Sequence, residues 1–325
     1  MSAPAQQEAW HPRGKLSHGG THYVLTAPSG STKGLVVMIH GLGTWSYNYD
    51  GMADLLSSQG YTALQLDNLG MGHSRNAPED IDDPYSPKHH HVFNGTGHVQ
   101  IIHDLLTELG LLSEPYIVVG HSMGGAIATL YAEKYPSEMR AVVLLSPSGV
   151  QEAWTGKAVA IALIRAVVPS CLLPLILRKL TNDVKNIDNI RNFGDFKDKD
   201  SAASRASCRA IYDQHQHNSH AIKCFFNCVR FFPFFSLHTS VSAVAMNGTP
   251  VLLLHGESDE TVPPSPTVAI WSRALDGHKA SPLAEGRARS GGSASRVQLL
   301  AGGHMFFLED PAATLDILLE WLRGL

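Results

Sequence analysis

The chain has 325 residues, 44% hydrophobic and 17% charged, with a formal net charge of −4 and a pI near 6.5. The apolar content supports a sizeable core and excludes disorder as the default, and the charge excludes the basic footprint of a nucleic-acid binder. The length fits one large α/β domain carrying an insertion, or two small domains.

Met1 to Lys15 is polar, contains Pro4 and Pro12, and has one arginine, Arg13. With no apolar core segment it does not read as a secretory signal or a mitochondrial presequence, so a cytoplasmic location is expected. Thr21 to Ala27 then reads as a strand. Gly34 to Ile39 is a continuous apolar run, as a strand buried on both faces requires. Ser46 to Gln59 reads as a helix stopped by Gly60, and Tyr61 to Leu66 as the next strand. After a turn-rich stretch from Asp67 to Phe93, Gly95 to Leu109 is helical, Tyr116 to Val119 is a strand, and Ser122 to Lys134 is its helix. Arg140 to Leu145, Pro250 to Leu254 and Val297 to Leu300 supply further strands, and Pro311 to Arg323 closes the chain as a helix with proline in its first turn. Strands alternating with helices predict an α/β fold with a mostly parallel sheet.

Val150 to Asn247 breaks this rhythm with strong helical character and no clear strand. It reads as a helical lid at residues 150–247, inserted between core segments 1–149 and 248–325. Within it Ala158 to Leu177 carries one charge, Arg165, and is long enough to cross a bilayer. Arg165 near the centre would cost roughly 2.5–3.5 kcal/mol. Pro169 and Pro174 break the helix, and a single span would part Ser122 from Asp259 and His304. A lid over an apolar pocket, with peripheral membrane contact through it, is the better expectation. Lys279 to Arg296, rich in Gly, Ser, Ala and Arg, reads as a surface loop. Cys171, Cys208, Cys224 and Cys228 are read as reduced thiols, because no CxxC pair or oxidising context accompanies them. His217, Cys224 and Cys228 share a helical face, yet no fourth metal ligand is evident. His89, His90 and His91 are read as part of a polar loop rather than a metal site. No metal or cofactor is expected.

Four motifs, each after a predicted strand, carry the chemistry. Gly120-His121-Ser122-Met123-Gly124 matches G-x-S-x-G between a strand and a helix, the context in which the serine becomes an exposed nucleophile. His40-Gly41-Leu42-Gly43 follows Val36 to Ile39. A tetrahedral intermediate needs two convergent N–H donors, which are expected from Leu42 and Met123. His40 itself reads as structural. In His255-Gly256-Glu257-Ser258-Asp259, Asp259 is the expected partner of a catalytic histidine, with Glu257 and Glu260 as alternatives. Gly302-Gly303-His304 follows the last strand and gives the chain order Ser122, Asp259, His304.

On these motifs, and on Asp67-Asn68-Leu69-Gly70-Met71-Gly72-His73-Ser74 as a D-x-x-G-x-G-x-S turn, the sequence resembles the α/β-hydrolase superfamily, especially its lid-bearing esterases and monoacylglycerol-type lipases. The resemblance covers Gly34 to Pro147 and Pro250 to Leu325, and the lid matches nothing familiar. Members acting as epoxide hydrolases or haloalkane dehalogenases carry Asp at the nucleophile position, so Ser122 argues against those chemistries. The resemblance implies acyl transfer to Ser122 and release by water, with His304 moving the proton. The apolar lid, including Phe225, Phe226, Phe231, Phe232, Phe234 and Phe235, points to a small-molecule ester with a medium or longer acyl chain, although such residues also serve simply to pack a lid onto a core. The same triad could instead serve a carbon–carbon, amide or N-terminal peptide bond, for which Asp183, Asp188 and Asp195 are candidates to hold a free amine. A non-catalytic ligand binder on this fold is the third class. Oligomeric state is not legible in the sequence.

Overall fold

The computed structural model describes residues 13–78, 89–150, 179, 196–278 and 295–325. Eight strands form one sheet: β1 (Lys15–Leu16), β2 (His22–Thr26), β3 (Leu35–Ile39), β4 (Thr62–Leu66), β5 (Tyr116–His121), β6 (Met139–Leu145), β7 (Val251–Gly256) and β8 (Arg296–Leu300). Their order is β1-β2-β4-β3-β5-β6-β7-β8. β1 and β2 pair antiparallel, β2 is antiparallel to β4, and every pairing from β4 to β8 is parallel.

The helices, in chain order, are α1 (Asp50–Ser58), α2 (His90–Phe93), α3 (Gly95–Glu108), α4 (Met123–Lys134), α5 (Ala202–His217), α6 (Ala221–Phe231), α7 (His238–Met246), α8 (Pro264–His278), α9 (Phe306–Glu309) and α10 (Pro311–Arg323). They cover the sheet on both faces. Val37, Ile39, Val118, Val142 and Leu253 point into a core with α3, α4, α7 and Trp271 of α8. Their neighbours Val36, Met38, Val119, Val143 and Leu254 point into a second core with α1 and α10. Successive strand residues face opposite ways, so two apolar faces require the uninterrupted apolar runs seen in β3 and β5 to β7. This layered sheet brings the carboxyl ends of β3, β5, β7 and β8 to one rim, where open α/β sheets bind ligands.

Some segments depart from the sequence reading. Residues expected as one helix from Ser46 begin with a 3₁₀ turn, Ser46–Tyr49, before α1. Tertiary bonds explain the tighter winding: Asp67 Oδ1 accepts from the Ser46 N–H at 2.8 Å, Gln65 Nε2 donates to the Ser46 carbonyl at 3.0 Å, and the Tyr49 hydroxyl donates to the Ile39 carbonyl at 3.0 Å. α8 begins at Pro264 and includes Pro266, within the first turn where a missing N–H costs no helical bond. The histidine run is not a polar loop. His89 is buried, His90 and His91 open α2, and the His90 ring meets Phe231 edge-on at 5.3 Å.

The apolar run Ala158 to Leu177 lies outside the described residues, as do Asp183, Asp188 and Asp195 and nearly all of the Lys279 to Arg296 loop. No helix among the described residues is long and apolar enough to cross a membrane. Residues 196–247 fold into α5, α6 and α7, and pack on the first core through Ala221, Cys224, Cys228 and Phe232. Burial pushes the Cys224 thiol up to about 12 and Cys228 well above its usual value, so both stay protonated.

Candidate active site

Ser122 sits between β5 and α4 with φ 54° and ψ −117°. A positive φ is costly for a residue with a Cβ, and the surroundings hold it there. The Ser122 N–H donates to the Leu145 carbonyl at 3.0 Å, and its own carbonyl accepts from Gly125, Ala126 and Ser148 at 3.0, 3.2 and 3.0 Å. The turn closes only around glycines. A side chain at Gly125 would lie 2.7 Å from Pro147, and one at Gly120 would run into the Gly124 backbone. The outcome is a fixed backbone whose hydroxyl-bearing side chain remains partly exposed.

The loop after β3 presses directly on this turn. A Cβ at Gly41 would stand 2.9 Å from His121 Nδ1 and 3.1 Å from Ser122 Cβ. The Gly41 carbonyl accepts from His40 Nδ1 at 2.7 Å and from the Thr44 hydroxyl at 3.1 Å. In a trans peptide the N–H opposes the carbonyl, so these bonds aim the Leu42 N–H the other way. That N–H has no acceptor among the described residues. The Met123 N–H opens α4 and is one of the amides a helix leaves without an internal acceptor. His40 has a structural task. The Asn68 N–H donates to its Nε2 at 2.8 Å, so Nδ1 carries the proton, and burial holds its pKa down. Asn68 in turn is placed by the turn at Asp67, whose buried carboxylate accepts from His22 Nδ1 and the His73 N–H, each at 2.8 Å.

Asp259 follows β7 and is buried, whereas Glu257 and Glu260 are exposed. Its Oδ1 accepts from the Thr261 and Val262 N–H groups at 2.9 and 2.7 Å, and its Oδ2 accepts from His304 Nδ1 at 2.8 Å. Burial alone would raise this carboxyl. The adjacent His304, together with hydrogen bonds from His255, His304 and Val262, carries it well below the usual carboxylate range. An imidazole whose Nδ1–H is engaged by a buried carboxylate presents Nε2 as a base.

His304 itself is buried on the loop between β8 and α9. Its ring centroid is 4.6 Å from that of His121, the residue before Ser122, and its backbone carbonyl accepts from His121 Nε2 at 3.0 Å. Ser122, Asp259, His304, Leu42 and Met123 are thus brought to one rim from four chain segments, those after β3, β5, β7 and β8. Ser122 and His304 form no hydrogen bond with each other among the described residues. Such contacts tighten on substrate binding in many ligand-free enzymes.

Two participants escaped the sequence reading. His121 occupies a variable position of G-x-S-x-G, and only its burial marks it out. His255 is fully buried, donates from Nε2 to the Val262 carbonyl at 2.8 Å, and has Asp259 Oδ2 at 3.3 Å. Its position four residues before the acid was the available signal. Among the phenylalanines of residues 225–235, Phe226, Phe232 and Phe234 are buried in packing, while Phe225 stays partly exposed beside Gly43.

The Hydrolase_4 family, described as serine aminopeptidase, S33, matches residues 30–286. The match includes Ser122 and Asp259 and ends before His304. The chain is 28% identical to human monoglyceride lipase over 170 residues, covering 50% of this chain and 52% of that protein. It therefore spans about half the length of that curated relative. It is 25% identical to monoacylglycerol lipase ABHD6 from Bos taurus, covering 89% of this chain and 75% of that protein. An esterase from Exiguobacterium antarcticum superimposes with a TM-score of 0.65 at 17% identity, covering 95% of this chain and 98% of the other. That likeness shows the α/β-hydrolase fold.

Proposed function

The chain belongs to the Hydrolase_4 family, described as serine aminopeptidase, S33, and we propose on that premise that it hydrolyses carboxylic esters of lipid-like, monoacylglycerol-type substrates through an acyl-enzyme on Ser122. In this reading His304 removes the Ser122 proton as the hydroxyl oxygen attacks the ester carbonyl. The tetrahedral oxyanion is held by the N–H groups of Leu42 and Met123. Collapse expels the alcohol, which takes the proton from His304. Water then attacks the acyl-enzyme as His304 takes its proton, and collapse releases the fatty acid while the Ser122 oxygen takes that proton back from His304. Asp259 keeps His304 in the Nδ1–H tautomer and stabilises the imidazolium.

The observation that carries this reading is the Asp259–His304 pair beside a strained serine against which the Gly41 backbone packs. The ester class is supported by similarity to the monoglyceride and monoacylglycerol lipases. The lid, proposed as residues 150–247, contributes Phe225 as an apolar surface beside the oxyanion loop.

The test is labelling by a fluorophosphonate probe together with turnover of p-nitrophenyl esters from acetate to palmitate, with aminoacyl p-nitroanilides alongside. Labelling that disappears in Ser122→Ala and faster turnover of octanoate than acetate are expected. An unlabelled wild type would refute the enzyme reading. Preferential cleavage of the anilides would replace ester hydrolysis by aminopeptidase action.

A further inference from the structure

We propose that Gln214, in the helical insertion, is a positioning residue for the oxyanion loop, coupling α5 to the chemistry at Ser122. The proposal rests on the reading above that Leu42 donates to the oxyanion. α5 lies over the loop after β3 and the turn after β4, and its contacts recur every four residues, as one helical face demands. The Ala210 carbonyl accepts from Trp45 Nε1 at 3.4 Å. Gln214 Oε1 accepts from the Gly72 N–H at 2.6 Å while its Nε2 donates to the Gly43 carbonyl at 3.0 Å. Asn218, just past the helix, donates from Nδ2 to the carbonyls of Gly70 and Gly72 at 3.0 and 2.9 Å.

Gln214 is fully buried, and its amide bridges two backbone segments of opposite polarity. Simple packing would be served by leucine or methionine. Only a group that accepts at one end and donates at the other satisfies Gly72 N–H and Gly43 C=O together, and leaving either unpaired is costly. The bridge falls at a critical place. Leu42 lies between two restrained carbonyls: Gly41, held by His40 and Thr44 from the core, and Gly43, held by Gln214 from the insertion. Gly43 has φ 78° and lies against Phe225, whose ring would be 3.2 Å from a Cβ added there. A glycine in this loop has little stiffness of its own, so its geometry is imposed from both sides. Described residues of the insertion therefore form part of the wall that sets the Leu42 N–H.

Gln214→Met keeps the length and removes both hydrogen bonds. Gln214→Glu keeps the shape: as a carboxylate it repels the Gly43 carbonyl, and as a neutral acid it restores donor and acceptor. With p-nitrophenyl octanoate, and active sites counted by fluorophosphonate, Gln214→Met is expected to lose ten- to a hundred-fold in kcat with KM within about twofold. Gln214→Glu is expected to be similarly slow at pH 8, with its kcat relative to wild type rising as pH falls to 6. Wild-type kcat per labelled site in Gln214→Met, or a Gln214→Glu ratio near one at every pH, would overturn the positioning role while leaving the proposed esterase intact. A wild type that neither labels nor turns over would overturn both. Should Gln214→Met not fold, the pH profile of Gln214→Glu decides.

Discussion

His121 Nε2 donates to the backbone carbonyl of His304 at 3.0 Å, tying the residue before the candidate nucleophile to the candidate base across 183 positions of sequence. Burial holds the pKa of His121 well below its usual value, so it carries one proton. The hydrogen bond requires that proton on Nε2. Nδ1 is then bare, and its lone pair faces the place where a Cβ on Gly41 would lie. One neutral imidazole thus lies between the Ser122 turn, the Gly41 loop and the backbone of His304. His121→Phe should keep the ring volume and the contact with Phe307 but release the His304 loop. A kcat loss on the order of tenfold is expected, with slower fluorophosphonate labelling. Unchanged labelling kinetics in folded protein would show that the His304 loop stands without this tie.

Asp259→Asn preserves the shape of the acid yet presents the wrong hydrogen-bonding face to His304 Nδ1. By comparison with other triads, kcat should fall on the order of 10⁴. Glu257→Gln and Glu260→Gln change exposed carboxylates and should stay within about twofold of wild type. A severe loss in either glutamate variant, with near-normal Asp259→Asn, would transfer the acid role. The depressed Asp259 carboxyl also has a stability consequence. Its contribution is fully present above the unfolded pKa near 4 and is lost as pH falls through the lower folded value.

The candidates Ser122, Asp259 and His304 stand out in the chain because each follows a strand, and strands buried on both faces announce themselves as unbroken apolar runs. β3, β5, β6 and β7 have that signature, and together they place the rim. Polar side chains that act across the fold have no such local mark. Gln214 and His255 look like ordinary helix and strand-end residues until β4, α5 and β7 are brought together. β1 is too short to show a period, and the prolines opening α8 mimic a turn. The His89 to His91 run misleads for the opposite reason: its composition is polar, while His89 is buried with its ring against Phe93, and the His90 ring meets Phe231 edge-on as α2 begins.

His98 should make the fold sensitive to mild acid. It is buried in α3, its Nε2 is 3.6 Å from Cys228 Sγ, and its ring meets Phe232 edge-on at 5.7 Å. Burial lowers its pKa to about 3. The unfolded chain takes up a proton near pH 6.5 that the folded chain refuses, so stability falls as pH drops below 6.5 and continues to fall toward 3. Between pH 6.5 and 5 the loss is roughly 2 kcal/mol, from about 1.4 kcal/mol per unit. His98→Gln removes the titration and should flatten the decline of melting temperature over that interval, whatever its effect on stability at pH 7.5. Parallel curves for variant and wild type would locate the acid sensitivity elsewhere.

Phe225 offers the sharpest probe of acyl-chain recognition, because it lies beside Gly43 in the loop proposed to hold the oxyanion and is only partly buried. Phe232, by contrast, is wholly buried, and its truncation would cost about 3–5 kcal/mol of folding stability. An acyl chain leaving the ester carbonyl along the insertion would cover the exposed part of the Phe225 ring. Covering such a surface is worth about 1–2 kcal/mol, or five- to thirty-fold in kcat/KM. Acetate is too short to use that contact. Phe225→Ala should therefore lower kcat/KM for p-nitrophenyl octanoate by that factor while changing acetate less than threefold, so that the preference for the longer ester shrinks. An equal loss on both esters would mean that Phe225 acts through Gly43 and the oxyanion loop, and the acyl chain would have to run along another wall.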